Sequence, residues 1–268
     1  MWSPMVTDTV SNMYELLGEL CNLDNLGRGD LIIKRITELG LVPTIQEFEE
    51  NGETYRNIIV RVREGSPTSE IGVSAHYDRD EEGQGALDNG ASVVEVLGLL
   101  EVVVQDPRDL DFTFLFFDAE EKGGLGSKYF TAETPRGFDG LYNIEVAGVG
   151  DSVVVGKTGF DPYTKEKVVN AANLNLRVEE VCKTLGLPFF KVDTPPSDDV
   201  AFNLSGVPAT QIFAFPEEEV RMWLDGVDPW DLPTAQNLHG PNDAYDKVDP
   251  NTLTMMKNVL VALAESYR

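Results

Sequence analysis

Apolar positions recur at helical spacing over residues 7–22, at Val10, Met13, Leu16, Leu17 and Leu20, and predict an amphipathic helix there. A second helix is expected over 28–39, closed by Gly40, since glycine takes the left-handed conformation at a helix end without a Cβ penalty. Residues 42–48 alternate between apolar and polar, and 57–62 are rich in β-branched side chains, so both read as strands. Glu64-Gly65-Ser66-Pro67 marks a turn. A strand over 71–77 precedes a long apolar helix over 86–104. Residues 111–118, Asp-Phe-Thr-Phe-Leu-Phe-Phe-Asp, form an apolar run without alternation, as central parallel strands buried on both faces do. Short strands follow at 141–146 and 152–155, then a helix over 162–185, a strand over 207–215 and a closing helix over 252–267.

Strands alternating with helices predict an α/β fold, a doubly wound, mostly parallel central sheet with helices on both faces, formed as one domain over 1–268. Such sheets bind ligands beyond the carboxyl ends of their strands.

Composition narrows the function classes. The chain has 268 residues, 42% of them hydrophobic, which suits an ordinary globular protein. No stretch approaches the roughly 18 unbroken apolar residues of a membrane span. Met1-Trp2-Ser3-Pro4-Met5 lacks a basic segment followed by an apolar one, so a cytoplasmic protein without membrane contact is expected. Lys plus Arg number 21 against 46 Asp plus Glu, for a net charge of −25. That balance repels nucleic acid and anionic membrane, whose recognition requires clustered cations. It serves solubility first and attraction of cationic substrates second. Cys21 and Cys182 lie far apart with no CxxC spacing and read as part-buried thiols rather than metal ligands.

The chemistry concentrates at the expected strand ends. Ser74-Ala75-His76-Tyr77-Asp78 closes one strand, and Ala86-Leu87-Asp88-Asn89-Gly90 opens the following helix. Phe117-Asp118-Ala119-Glu120-Glu121 closes the next strand, Asn143-Ile144-Glu145 another, and Leu238-His239-Gly240-Pro241-Asn242-Asp243 comes far downstream. The chain has only two histidines, His76 and His239, and both fall in these carboxylate-rich segments. Imidazole nitrogen and carboxylate oxygen suit zinc, and two metals can share a bridging carboxylate while a further carboxylate stays free to move a proton. Adjacent Glu120 and Glu121 can divide those two tasks, since successive side chains point in different directions. Asp78, two residues beyond His76, can orient the imidazole through its other nitrogen. Taken singly, each segment also has an ordinary reading: a solvated acidic turn for Glu120-Glu121, a helix cap for Asp88-Asn89.

In this order the segments resemble the di-zinc exopeptidases of the aminopeptidase Y and bacterial leucyl aminopeptidase type, a family that includes glutaminyl cyclases and glutamate carboxypeptidases. The resemblance extends through Ser197-Asp198-Asp199-Val200-Ala201-Phe202 and Gly206-Val207-Pro208-Ala209, and spans roughly residues 55–268. It implies that His76 and Glu145 ligate one metal, Glu121 and His239 the other, and that Asp88 bridges them. Two zinc ions are the implied cofactor, Glu120 the general base, and Asp78 the residue that orients His76. Phe213, Phe215, Trp223, Trp230 and Leu238 lie where the family builds its specificity pocket. The implied substrate is a peptide with a free N-terminus, cut by an aminopeptidase.

Three departures stand out. Glu145 occupies a position where the family usually has Asp, so the backbone must recede or the ligand must bind differently. Asp199 stands where His often follows Ser-Asp, and Leu238 and Gly240 flank His239 where a Tyr or Ile and a Thr are common. Two other readings keep the fold: a mono-zinc glutaminyl-peptide cyclase, and a non-catalytic relative that uses the pocket for binding.

Overall fold

A computed structural model of the chain describes residues 6–62, 70–105, 112–133 and 137–267. Among these, nine strands form one mixed sheet in the order β1-β2-β4-β3-β5-β9-β6-β7, with β8 also paired to β6. The strands are β1 Thr44–Glu50, β2 Glu53–Arg61, β3 Ile71–His76, β4 Phe112–Phe117, β5 Gly140–Ile144, β6 Ser152–Phe160, β7 Lys167–Val169, β8 Phe189–Asp193 and β9 Ala209–Phe215. The centre, β4-β3-β5-β9, is parallel. Both flanks are antiparallel, where β1-β2 meets β4 and where β6 meets β9 and β7. Every residue of β3, β4, β5 and β9 is buried, as the unbroken apolar run of β4 leads one to expect.

Helices cover both faces. The helices are α1 Val6–Cys21, α2 Asn25–Glu38, α3 Ala91–Gln105, α4 Leu125–Glu133, α5 Ala172–Leu185, α6 Asp198–Ser205, α7 Glu217–Leu224 and α8 Pro250–Glu265. One core joins Ile58, Val73, Ala75, Phe114 and Phe116 to residues of α1, α2, α3, α5 and α8. The opposite face sets Leu115, Phe117 and Leu141 against Phe130 of α4 and Phe202 of α6. Alternate residues of β4 divide between these two cores, which is the two-residue period of a strand buried on both sides. Cys21 and Cys182 are free and buried.

Several boundaries differ from the sequence pattern. The helix expected over 162–185 starts only at Ala172. Upstream, β6 runs on to Phe160 and β7 turns back antiparallel to it, pairing Thr158 with Val169 and Phe160 with Lys167. The helical spacing of buried positions begins at Leu174 and continues through Val178, Val181 and Cys182, while Val168-Val169 favours a strand. The helix expected from residue 86 is regular only from Ala91, because Asp88 and Asn89 take non-helical angles in a tight preceding turn. Asn51-Gly52 joins β1 and β2 as a hairpin, both residues at positive φ. The turn at 64–67, residue 111 and the N-terminal five residues lie outside the described residues. No helix among the described residues is long and apolar enough to cross a membrane.

A candidate binuclear metal centre

The carboxyl ends of β3, β4 and β5 open on one side of the sheet, and the segments leaving them converge there. His76 is the last residue of β3, Glu120-Glu121 follow β4, Glu145 follows β5, and Asp88 lies in the turn before α3. His239 arrives from the loop before α8. The structure brings all five expected ligands together as two overlapping groups, His76-Asp88-Glu145 and Asp88-Glu121-His239, each with ligand atoms within 4.8 Å of one another. Asp88 belongs to both. Its Oδ1 lies 3.0 Å from His76 Nε2 and its Oδ2 lies 3.0 Å from His239 Nε2. Glu145 Oε1 is 3.1 Å from His76 Nε2, and Glu121 Oε2 is 3.3 Å from His239 Nε2. Glu145 therefore reaches the site despite its extra methylene.

Each group is braced from behind. Glu145 Oε2 accepts hydrogen bonds from Ser197 Oγ (2.8 Å) and Asn143 Nδ2 (3.3 Å). Asn143 is itself held by Ser74, whose Oγ donates to its Oδ1 at 2.8 Å. Asp243 accepts the backbone N–H groups of Leu87 (2.6 Å) and Asp88 (3.3 Å), and Asn89 ties the same turn to β5 through the Ile144 carbonyl and the Val146 amide. The Asp88–Asn89 peptide is cis. Arg28 of α2, fully buried, donates to the Gly85 carbonyl at 2.8 Å beneath that turn. These supporting roles are absent from any local spacing. Asn143, Ser197 and Asp243 stood inside the quoted motifs, but nothing in the sequence says which ligand each would hold.

Asp78 does more than expected. Its Oδ1 lies 3.4 Å from His76 Nδ1, whose hydrogen-bond partner is the Asp78 carbonyl at 3.2 Å. The same carboxylate accepts the backbone N–H groups of Glu120 (3.0 Å) and Glu121 (3.1 Å). It thus joins the histidine of one group to the turn that carries the glutamates. Three non-glycine residues at or next to site residues hold positive φ: Ala119 at 56°, Val146 at 42° and His239 at 54°. Such angles cost about 1–3 kcal/mol each, most for a β-branched residue, and persist where the surroundings over-determine the backbone.

The electrostatics favour cations. Burial alone would lower the pKa of His76, but Glu145, with Asp78 and Asp88, reverses this and holds it well above the usual histidine range. A hydrogen bond to Asp88 raises His239 to about 9. Burial, reinforced by the charge of Asp88, pushes Glu121 up to about 8. Burial also pushes Glu120 well above the carboxylate range. One oxygen of Glu121, Oε1, is buried with no hydrogen-bond partner among the described residues. The same two imidazoles and three carboxylates, crowded together, make a donor set that suits a pair of divalent cations, which would take the place of the imidazolium protons.

Glu120 belongs to neither ligand group but lines the cavity above them. Phe213, Phe215, Trp223, Trp230 and Leu238 all line the same cavity. Phe215 packs against both Phe213 and Trp223, and the Trp230 ring lies 5.6 Å from that of His239. Phe213 and Phe215 are buried, whereas Trp230 is 49% exposed at the rim. Gln211, one pleat before Phe213 on β9, also lines the cavity, with a buried Oε1 that has no partner among the described residues.

The sequence and the fold are similar to those of known proteins. The probable leucine aminopeptidase 2 of Aspergillus oryzae is 25% identical over 213 residues, which is 74% of this chain and 42% of that protein. The chain spans less than half the length of the curated relatives it matches over most of its own length. Among solved structures, a zinc aminopeptidase from Bacillus subtilis superposes with a TM-score of 0.66 at 20% identity, over 81% of this chain and 51% of that one. The glutaminyl cyclase of Porphyromonas gingivalis superposes with a TM-score of 0.74 at 18% identity, over 97% and 98%. Residues 57–264, which carry every one of the converging side chains, match the model of one family, and the chain belongs to peptidase family M28.

Proposed function

We propose that this chain is a zinc-dependent aminopeptidase that removes residues from the free N-terminus of peptides, using two metal ions. The observation that carries the reading is the shared Asp88, with one oxygen toward His76 and the other toward His239. His76, Asp88 and Glu145 would hold one ion, and Asp88, Glu121 and His239 the other. Bound there, zinc would polarise the scissile carbonyl and make a water acidic enough to attack it near neutral pH.

The chain's own groups supply the rest. Glu120, free of both ligand groups, takes the proton of the attacking water and returns it to the departing amine. Its side chain lines the cavity without belonging to either ligand group, so it can take and return that proton. Asp78 fixes the backbone from which Glu120 projects. The aromatic wall of Phe213, Phe215 and Trp223 offers an apolar slot for the substrate's first side chain. The related aminopeptidases and the family support this reading.

The test pairs elemental analysis with hydrolysis of aminoacyl anilides. About two zinc ions per chain, with Glu120→Gln retaining metal and losing most turnover, is the expected result. Near-normal turnover by that variant would remove Glu120 from the role. A second reading, cyclisation of N-terminal glutamine with one metal, draws on the near-complete overlap with a glutaminyl cyclase fold. One metal per chain and ammonia release from glutaminyl peptides would favour it instead.

A further inference from the structure

The cavity lining contains four carboxylates, those of Asp88, Glu120, Glu121 and Glu145. Among the described residues that line it, Lys128 is the only lysine or arginine. An ammonium placed there, in a chain of net charge −25, is not explained by the general composition. It is also held in place. Lys128 projects from the first turn of α4, and its Nζ donates to the Gly123 carbonyl at 3.0 Å. That carbonyl belongs to the tight turn begun by Glu120, since the amides of Gly123 and Gly124 both bond to the Glu120 carbonyl.

The turn between β6 and β7 closes over the same place. Nζ stands 3.3 Å from the centre of the Tyr163 ring, and the Tyr163 hydroxyl donates to the Gly123 carbonyl at 3.3 Å. Neighbouring Pro162 lines the cavity. The partners of Lys128 are thus a carbonyl and an aromatic face, both neutral. Asp161 feels its charge through space, but no carboxylate among the described residues pairs with it directly. An ammonium has three donors, so a positioned N–H remains for a ligand. Two divalent ions would cancel the charges of the four carboxylates, leaving Lys128 as the charge that an incoming anion meets.

We propose that Lys128 receives the C-terminal carboxylate of the substrate, which makes dipeptides with an apolar first residue the preferred substrate class. This rests on the aminopeptidase reading above. The first side chain occupies the aromatic slot, and the carboxylate, one residue beyond the scissile bond, meets Lys128 beside the turn that carries Glu120. The β6–β7 turn, pinned to Gly123 by Tyr163, limits the space available to a longer chain.

The experiment compares leucyl-glycine, leucyl-glycine amide and leucyl-glutamate amide on the full-length, zinc-loaded protein and on Lys128→Gln and Lys128→Arg. The expected kcat/KM for leucyl-glycine exceeds that for its amide by about 10-fold or more, as a hydrogen bond between charged groups provides, and the difference lies in KM. The ratio falls to about one in Lys128→Gln and is largely restored in Lys128→Arg. Because the ratio is taken within one protein preparation, general loss of folding does not move it. Equal rates for leucyl-glycine and its amide, or a ratio that survives in Lys128→Gln, would overturn the proposal and leave the aminopeptidase reading intact. So would a preference for leucyl-glutamate amide, which places the carboxylate on a side chain. Failure to hydrolyse any of the three would remove both.

Discussion

Replacing Asp78 with Asn separates the support of the centre from its chemistry. Asp78 is buried and its carboxylate accepts two backbone N–H groups at 3.0 and 3.1 Å, while standing 3.4 Å from His76. A hydrogen bond to a charged group contributes about 1.5–3 kcal/mol. Asn keeps one acceptor oxygen but turns an N–H₂ toward the second amide, so one bond is lost and two donors face each other. The expected loss is about 2–3 kcal/mol in urea unfolding of the metal-free protein, where no ligation contributes. Weakening what orients His76 and Glu121 should also lower zinc affinity about 10–100-fold, read by competition with a chromogenic chelator. Metal-free stability within about 0.5 kcal/mol of the parental value, the range of ordinary surface substitutions, together with undiminished zinc affinity, would refute the assignment.

Three further outcomes follow from particular contacts. Glu145→Asp cannot both reach His76 and keep the bonds from Ser197 and Asn143, so zinc content should drop from two toward one per chain on elemental analysis; two retained ions would show that the backbone follows the shorter side chain. Glu95 of α3 is fully buried with neither oxygen partnered among the described residues, and burial raises its pKa well above the carboxylate range. Its folded pKa exceeds its unfolded one, so its protonation favours the fold fully below the unfolded value of 4.5, and that contribution is lost as pH rises toward the folded pKa. Glu95→Gln should therefore gain stability relative to the parent by up to about 1.4 kcal/mol per pH unit across that window, and parallel pH profiles would contradict this. A methyl at Gly126 would fall on the Asp118 carbonyl and on Asn57 Oδ1, so Gly126→Ala should displace the turn carrying Glu120 and lower both the melting temperature and turnover; a melting temperature unchanged from the parent would show that the turn yields.

Much of this architecture was legible along the chain. The run at β4 reads as a central strand because its apolar side chains have no polar alternation to spare for solvent. The two histidines, each among carboxylates, point to candidate metal ligands: His76 closes a strand whose end opens on the ligand side of the sheet, and His239 comes from the loop before α8. The pattern failed where local preference was weak or overruled. Residues 162–171 read as the start of a helix, but 167–169 pair with β6 as β7, and the short helices α4, α6 and α7 carry too few turns for a clear period.

Chemical identity and order along the chain therefore determined the fold class, the family and the five candidate ligands. Only the tertiary structure decided that the two oxygens of Asp88 divide between His76 and His239, that Glu145 reaches across its extra methylene, and that Asp78 braces both glutamates. Nor does any spacing place Lys128 beneath Tyr163, 35 positions away. These facts depend on which side chains meet across separations of tens to more than a hundred residues. Such meetings are set by how helices pack on the two faces of the sheet, and a linear pattern records the preference of each segment but not the distance between them.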